Sequence, residues 1–105
     1  MENLTFKLKA PKAAGGTRRQ VITGVVASGN LEVLVERNQP ADTCVITIAT
    51  AAHGFKPVWE AVMNDFVARR AAGGLSLSIN DGGARPDTVG LRLAQAVRLI
   101  EEDSQ

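Results

Sequence analysis

The sequence contains one cysteine, few aromatic residues and no excess of either charge. Its 105 residues include no tyrosine and one tryptophan, and 12 basic residues nearly balance 11 acidic ones, for a formal net charge of +1. The single cysteine, Cys44, excludes an internal disulfide and a metal site built from several cysteines. The balanced charge gives no support to a nucleic-acid partner, which usually requires a basic surface.

Long hydrophobic runs are also missing. No apolar run approaches about 20 residues, so we expect no membrane-spanning helix, and the opening sequence MENL lacks the apolar segment of a signal peptide. His53 is the only histidine, which is a poor basis for a metal site. These absences predict a cytoplasmic protein with no membrane and no metal partner. The length fits one domain, residues 1–105, and so small a domain more often serves an assembly than acts as an enzyme alone.

Five segments have the alternation of apolar and polar residues, or the richness in β-branched residues, that is typical of strands. They are residues 4–9, 18–27, 31–37, 43–51 and 75–80. Two further segments, residues 57–72 and 86–102, repeat apolar residues every three to four positions, as amphipathic helices do. The predicted inner face of the first helix consists of Val58, Val62, Phe66 and Val67, with Trp59 and Met63 beside them. That of the second helix consists of Val89, Leu93, Ala96, Val97 and Ile100.

The elements follow in the order β-β-β-β-α-β-α, and each has one apolar face to bury. The simplest arrangement is an α+β two-layer sandwich, in which two helices pack on one face of a mostly antiparallel five-stranded sheet. The fourth and fifth strands can be parallel, joined by a right-handed crossover through the first helix, which we expect Gly73-Gly74 to end. The remaining sheet face is expected to carry Val21, Val25 and Leu34, and our hypothesis is that a partner protein covers it.

The central feature of the sequence is a short polar segment between two apolar, β-branched runs. Ser28, Gly29 and Asn30 are turn-forming residues, so the pattern predicts a β-hairpin with Ser28 at its tip. If Gly29 and Asn30 form a two-residue turn, Ser28 stands opposite Leu31 and leans inward. A longer turn, or a tip that extends past the helices, exposes the hydroxyl instead. A bare Ser-Gly-Asn is a common turn and has no functional specificity by itself.

Two stretches of the sequence resemble the acyl-carrier (delta) subunit of bacterial malonate decarboxylase. The first surrounds the serine: it is ASGNLEVL, residues 27–34, with Asn30 where the family commonly has aspartate. The second is DGGARP, residues 81–86, which resembles an Asp-x-Gly-Ala-x-Pro stretch of the family. It continues into VGLRLAQ, residues 89–95, similar to a family helix that carries Leu-Arg-Leu. The resemblance covers most of the chain from about Val21 onward.

This resemblance implies a carrier function and a covalent cofactor. In the family, the serine at the position of Ser28 holds a phosphoribosyl-dephospho-CoA arm through a phosphodiester, and the thiol of the arm carries acetyl and malonyl thioesters. The implied reaction is the decarboxylation of malonate to acetate and CO2, in which the chain itself is not an enzyme. The implied partners are an acyl transferase subunit, a pair of decarboxylase subunits, the prosthetic-group transferase and a malonyl transferase.

Further residues join Ser28 in the predicted cofactor site. Gly29 leaves space beside the hydroxyl, and Asn30 is its neighbour. Because Arg85 and the pair Gly82-Gly83 precede a helix N-terminus, they are candidates to bind a phosphate of the arm. The alternative for these residues is an ordinary tight loop before a helix.

Other functions are left open by the sequence. The citrate lyase acyl carrier (gamma) subunit uses the same kind of arm in a different serine context, and an unmodified scaffold or binding subunit needs no arm. Ser28 and His53, with Asp42 or Asp81, have the residue types of a hydrolase triad, but geometry defines a triad and no Gly-x-Ser-x-Gly elbow is present. Cys44 lies inside an apolar strand, and we expect it to be an inert core residue.

Overall fold

Five strands and two helices follow one another in the predicted order. The computed structural model describes residues 2–25, 28–51, 53–83 and 86–101, with the backbone alone for residues 23–25, 28–30 and 86–88. Neither helix in this described part is long and apolar enough to cross a lipid bilayer. The elements are β1 Glu2–Lys9, β2 Gln20–Val25, β3 Ser28–Arg37, β4 Thr43–Thr50, α1 Lys56–Arg69, β5 Leu75–Asp81 and α2 Pro86–Glu101.

The strands form one sheet in the order β1-β4-β5-β3-β2. β4 and β5 are parallel, whereas the pairs β1–β4, β3–β5 and β2–β3 are antiparallel. The predicted α+β class, with a mostly antiparallel five-stranded sheet and a parallel pair joined through the first helix, is confirmed. Because of this pairing, β4 and β5 end where β3 begins. We call this end of the sheet the serine end; it is marked by Thr50, Asp81 and Ser28.

Both helices begin at the serine end, since α1 follows β4 and α2 follows β5. They cover the same face of the sheet, with α1 packed mainly on β1 and α2 on β3 and β2. The core lies between the two layers, and the predicted inner face of α2 is buried as expected. The most deeply buried apolar side chains of the three central strands are Leu31, Val33, Val35, Cys44, Ile46, Ile48, Leu75, Leu77 and Ile79.

The inner face of α1 differs from the prediction by a rotation of the helix. Its buried side chains are Trp59, Met63, Phe66 and Val67. Val58 is 48% exposed, and Val62 is half-buried. Turning Trp59 and Met63 inward removes more apolar area from water than turning two valines inward, so the core favours this orientation. The prediction that Val58 faces the core is therefore wrong.

The sheet face away from the helices is more polar than the sequence suggested. Val21 is 8% exposed and belongs to the core, so the prediction that it lies on the open face is wrong. Its neighbour Ile22, which is 61% exposed, lies there instead, beside the half-buried Leu34. The side chain of Val25 is outside the described part. Exposed polar side chains occupy the neighbouring strands of this face: Thr5, Thr47 and Ser78.

Helix α1 also ends earlier than predicted. Its last residue is Arg69, and Arg70 has extended backbone angles, φ −116° and ψ 152°. Gly73-Gly74 therefore does not end the helix. Gly73 instead passes so close to the backbone oxygen of Ala41 that an added Cβ would collide with it. Its N–H also donates to the carbonyl of Lys12 at 2.9 Å, so this close backbone approach is what requires glycine.

Arg37, at the end of β3 far from the serine end, joins the β1–β2 connection to the end of α2. Its Nε donates to the carbonyl of Arg18 at 2.9 Å, and its Nη1 and Nη2 donate to those of Ala14 at 3.2 Å and Gly15 at 2.8 Å. Nη2 also donates to the carbonyl of Ile100 at 3.0 Å. Carbonyls in the last turn of a helix have no partner within the helix, so Arg37 satisfies one of them while it fixes the connection.

We predict that removing this guanidinium destabilises the fold. Arg37→Ala deprives four carbonyl oxygens of a charged donor, and the free energy of unfolding should fall by about 2–4 kcal/mol. The matched control is Arg69→Ala, because Arg69 forms an exposed salt bridge with Asp65 that is worth at most about 0.5 kcal/mol. Urea denaturation measures both variants. Equal losses in the two would show that Arg37 does not join these segments in solution.

Candidate functional site

Ser28 is the first residue of β3, and its backbone pairs with Val25 of β2. The residues that connect the two strands, 26–27, lie outside the described part of the chain. Gly29 and Asn30 are strand residues. Of the alternatives that the sequence left open, the two-residue turn at Gly29-Asn30 is therefore not the one present. Of Ser28 and Asn30 the backbone alone is described.

The beginning of β3 projects past the centre of the sheet. β3 pairs with β5 only from Leu31 onward, which lies opposite Asp81 and not opposite Ser28. Residues 28–30 therefore extend beyond the last residue of β5. On the other side, the register with β2 shifts, because β3 advances five residues where β2 advances two. Such a bulge bends a strand and increases its twist. Ser28 thus lies on a hairpin end that extends beyond β5.

A buried polar pair closes the core at the serine end. Asp81 is 5% exposed and Thr50 is fully buried. Thr50 Oγ1 donates to Asp81 Oδ2 at 2.8 Å, and the N–H of Gly83 donates to Oδ1 at 3.0 Å. The N–H of Ala51 donates to the backbone carbonyl of Asp81 at 3.0 Å. Burial of a carboxylate is unfavourable unless donors compensate it, so these bonds fix the start of both loops that follow β4 and β5.

This pair is not among the predicted site residues, although the alternation of the two strands contains the signal. Thr50 continues the inward series of β4, which is Cys44, Ile46 and Ile48. Asp81 continues the inward series of β5, which is Leu75, Leu77 and Ile79. The predicted strand stopped at residue 80, and Asp81 was therefore assigned to a loop.

The glycines after β5 form a tight loop. Gly83 has φ +112°, in the region that favours glycine. Its N–H is already bonded to the carboxylate of Asp81, so it is not available to a phosphate. The loop alternative is thus the better description of Gly82-Gly83. Arg85, the second candidate for an anion, lies outside the described residues.

One of the two acids considered for a hydrolase triad lies far from the histidine. Asp42 precedes β4 and His53 follows it, so a strand of roughly 25 Å separates them. His53 is exposed. The carboxylate of Asp81 already accepts hydrogen bonds from Thr50 and Gly83. Within the described ranges, no group of three or more His, Cys, Asp or Glu residues could hold a metal ion.

Cys44 is fully buried in β4. Desolvation by burial raises the pKa of its thiol from 9.0 to about 12. A thiol with so high a pKa is almost entirely un-ionised at neutral pH, and the thiolate is the reactive form. Cys44 is therefore a packing residue, in agreement with the expectation from its strand.

Comparison with known proteins decides the family. Residues 18–100 match the family model described as malonate decarboxylase delta subunit (MdcD). The chain belongs to this family. It is 62% identical over 105 residues to the malonate decarboxylase acyl carrier protein of Bradyrhizobium diazoefficiens, and the alignment covers 100% of both chains. The resemblance stated from the two sequence stretches is confirmed.

Two further relatives of this chain support the same family assignment. The malonate decarboxylase acyl carrier protein of Acinetobacter calcoaceticus is 45% identical over 101 residues, which cover 96% of this chain and 98% of the relative. A chain in the crystal structure of a Pseudomonas malonate decarboxylase hetero-tetramer in complex with malonate has a TM-score of 0.81 and 33% identity, covering 95% of this chain and 99% of that one. The family is thus one of acyl carriers and not of catalytic subunits.

We predict that the thiol of Cys44 does not react with thiol reagents in the native protein. With a pKa of about 12, only about one thiol in 10,000 is ionised at pH 8, and the strand shields it from reagents. A chromogenic disulfide reagent should find no thiol in the native chain and one per chain in denaturant, since the sequence has one cysteine. Cys44→Ser provides the blank. Fast reaction of the native chain would contradict the buried state.

Proposed function

We propose that this chain is the acyl carrier subunit of a malonate decarboxylase and that Ser28 is its attachment residue. The observation that carries the proposal is the position of residues 28–30, which begin β3 beyond the end of β5. A serine that another enzyme must modify needs such a projecting segment. The full-length match to a malonate decarboxylase acyl carrier protein supports the same function.

The proposed attachment needs a hydroxyl and no local base, because the modifying enzyme supplies the chemistry. Ser28 holds a phosphoribosyl-dephospho-CoA arm through a phosphodiester, and the bound arm supplies a thiol that carries acetyl and malonyl groups as thioesters. Gly29 has no side chain and leaves room beside the hydroxyl. Asn30 and Arg85 are the further candidates to contact the arm. The internally bonded Asp81 supports the sheet edge from which the hairpin projects.

A carrier needs enzymes that its arm can visit. The partners that we assign are an acyl transferase subunit, a pair of decarboxylase subunits, the prosthetic-group transferase and a malonyl transferase. The hetero-tetramer that contains the similar Pseudomonas chain supports a multi-subunit complex. Tethering keeps the acyl group at an effective concentration on the order of mM at each active site. The complex converts malonate to acetate and CO2, and the carrier breaks no bond itself.

The two other functions considered are less well supported. A citrate lyase carrier would use the same kind of arm, but the relatives described above are named for malonate decarboxylase. An unmodified scaffold would need no arm on Ser28. Analysis of the modification state separates the scaffold from the carrier.

We predict a single added mass on the chain when it is purified from a host that makes the whole pathway. The mass should match phosphoribosyl-dephospho-CoA, and it should be absent from Ser28→Ala because that variant has no hydroxyl at the attachment position. The matched control is Ser78→Ala, since Ser78 is an exposed serine on the open sheet face. It should keep the added mass. Intact-mass spectrometry of the three proteins makes the comparison.

Two outcomes would contradict the proposal. If Ser28→Ala retains the added mass, the arm is attached elsewhere. If the wild-type chain carries no added mass in a preparation that still decarboxylates malonate, the chain acts as a scaffold and not as the carrier.

A further inference from the structure

An open groove separates the two helices on the outer surface of the helical layer. Its lining residues lie between positions 62 and 70, at the end of α1, and between positions 90 and 94 of α2, and its volume is about 620 Å³. Sites for small molecules have volumes of roughly 300–1,000 Å³, so the groove is of that size. Its apolar walls consist of Val62, Phe66, Leu91, Leu93 and Ala94.

The apolar surface of the groove continues onto exposed side chains. Leu91 is 73% exposed, Phe55 49% and Val58 48%. These are three of the four large hydrophobic side chains that are exposed among the described residues. Phe55, Val58 and Val62 are three or four positions apart, so they lie on one side of α1, and Val62 lines the groove. A continuous exposed apolar surface of this kind is typical of a binding site.

Gly90 also lines the groove, and the fold does not require a glycine there. Glycine is among the least favourable residues in a helix interior. Gly90 does not have the positive φ that would demand it, and a Cβ added at this position would meet no atom within 4 Å. Folding alone would therefore favour a larger residue. What the glycine preserves is the open volume of the groove.

Two arginines give the α1 side of the groove a positive charge. Arg69 and Arg70 both line it, together with Asp65. Arg69 forms a salt bridge with Asp65 at 2.7 Å, which compensates its charge. Among the described residues, no acidic side chain forms a salt bridge with Arg70. The groove therefore combines apolar walls with a cation that attracts an anionic group.

We propose that this groove holds the acyl-bearing end of the arm on Ser28 between its visits to the partner subunits. This inference rests on the proposed function. The apolar walls suit the methyl group of an acetyl thioester, Gly90 leaves room for it, and Arg70 attracts an anion of the arm, which is either the malonyl carboxylate or a phosphate. Gly90 lies about 6 Å along α2 from its first residue, and α2 begins at the serine end. The α2 side of the groove is therefore near the attachment point, whereas Arg70 follows the last residue of α1, about 20 Å along that helix from the same end.

The size of the groove suits a tethered small group, because its volume of about 620 Å³ is that of a small-molecule site. A tethered group also has an effective concentration on the order of mM, so it occupies even a weak site. A groove without deep enclosure is sufficient for such an occupant, and it releases the acyl group readily.

The test compares Gly90→Leu, which fills the groove, with the control Ala61→Leu. The control adds the same side chain at an exposed position of α1 that does not line the groove. Both variants and the wild type are loaded with the arm, and intact mass verifies the loading. Methyl NMR signals of Val62, Leu91 and Leu93 are then recorded for the unloaded, thiol, acetyl and malonyl forms. Thermal unfolding shows whether each variant is folded.

We expect loading to shift the methyl signals of the groove in the wild type and in Ala61→Leu, but not in Gly90→Leu. If the thiol form also shifts the methyl signals, its thiol should react with a disulfide reagent about twofold faster, or more, in Gly90→Leu than in the wild type, because a site with mM affinity protects about half of the arm. Shifts confined to the malonyl form identify its carboxylate as the bound anion. Shifts in every loaded form that Arg70→Gln weakens identify a phosphate, and the same variant should weaken shifts that are confined to the malonyl form.

Unchanged methyl signals and equal thiol reactivity in all loaded proteins would overturn the groove as the site of the arm, while the proposed function would stand. Signals that shift only when partner subunits are added would overturn it too, because the groove would then be a protein docking surface. Absence of the added mass from the wild type would instead contradict the proposed function itself.

Discussion

The parallel pairing of β4 with β5 decides where the functional elements of this chain lie. A parallel pair requires a crossover, which α1 supplies, and the two strands then end at the same edge of the sheet. β3 is antiparallel to β5 and therefore begins at that edge. The hairpin with Ser28, the loop after β5 and the first turns of both helices meet at one end, although they are far apart in the sequence.

The two ends of the sheet are stabilised by different interactions. Far from Ser28, Arg37 joins the β1–β2 connection to the end of α2 through backbone carbonyls. There, Gly16 passes so close to the carbonyl of Glu101 that an added Cβ would collide with it. At the serine end, the Asp81–Thr50 pair closes the core, and β3 continues beyond it. A carrier needs both properties, since a projecting attachment segment is useful only on a base that keeps its shape.

The sequence predicted the elements well because the period of hydrophobicity records burial directly. The predictions were wrong where contacts between residues that are remote in the sequence decide between two similar arrangements. Val21 and Ile22 are equally apolar, and only the register with β3 places Val21 in the core. Gly73 has the residue type of a helix stop, but the contact that requires it comes from Ala41, which is remote in sequence. The acceptors of Arg37 are backbone carbonyls, which every residue has, so no side-chain pattern could reveal them.

For the site, the sequence and the structure contribute different parts. Resemblance singled out Ser28, because a carrier serine needs no neighbouring base or metal that residue types would disclose. Gly90 and Leu91 illustrate the reverse case, since in the sequence both belong to an ordinary amphipathic helix. The structure places the glycine beside empty space and the leucine in water. Neither a glycine in the helix nor a leucine exposed to water contributes to the stability of the fold. The presence of Gly90 and Leu91 side by side at one open groove is explained if the groove binds a ligand.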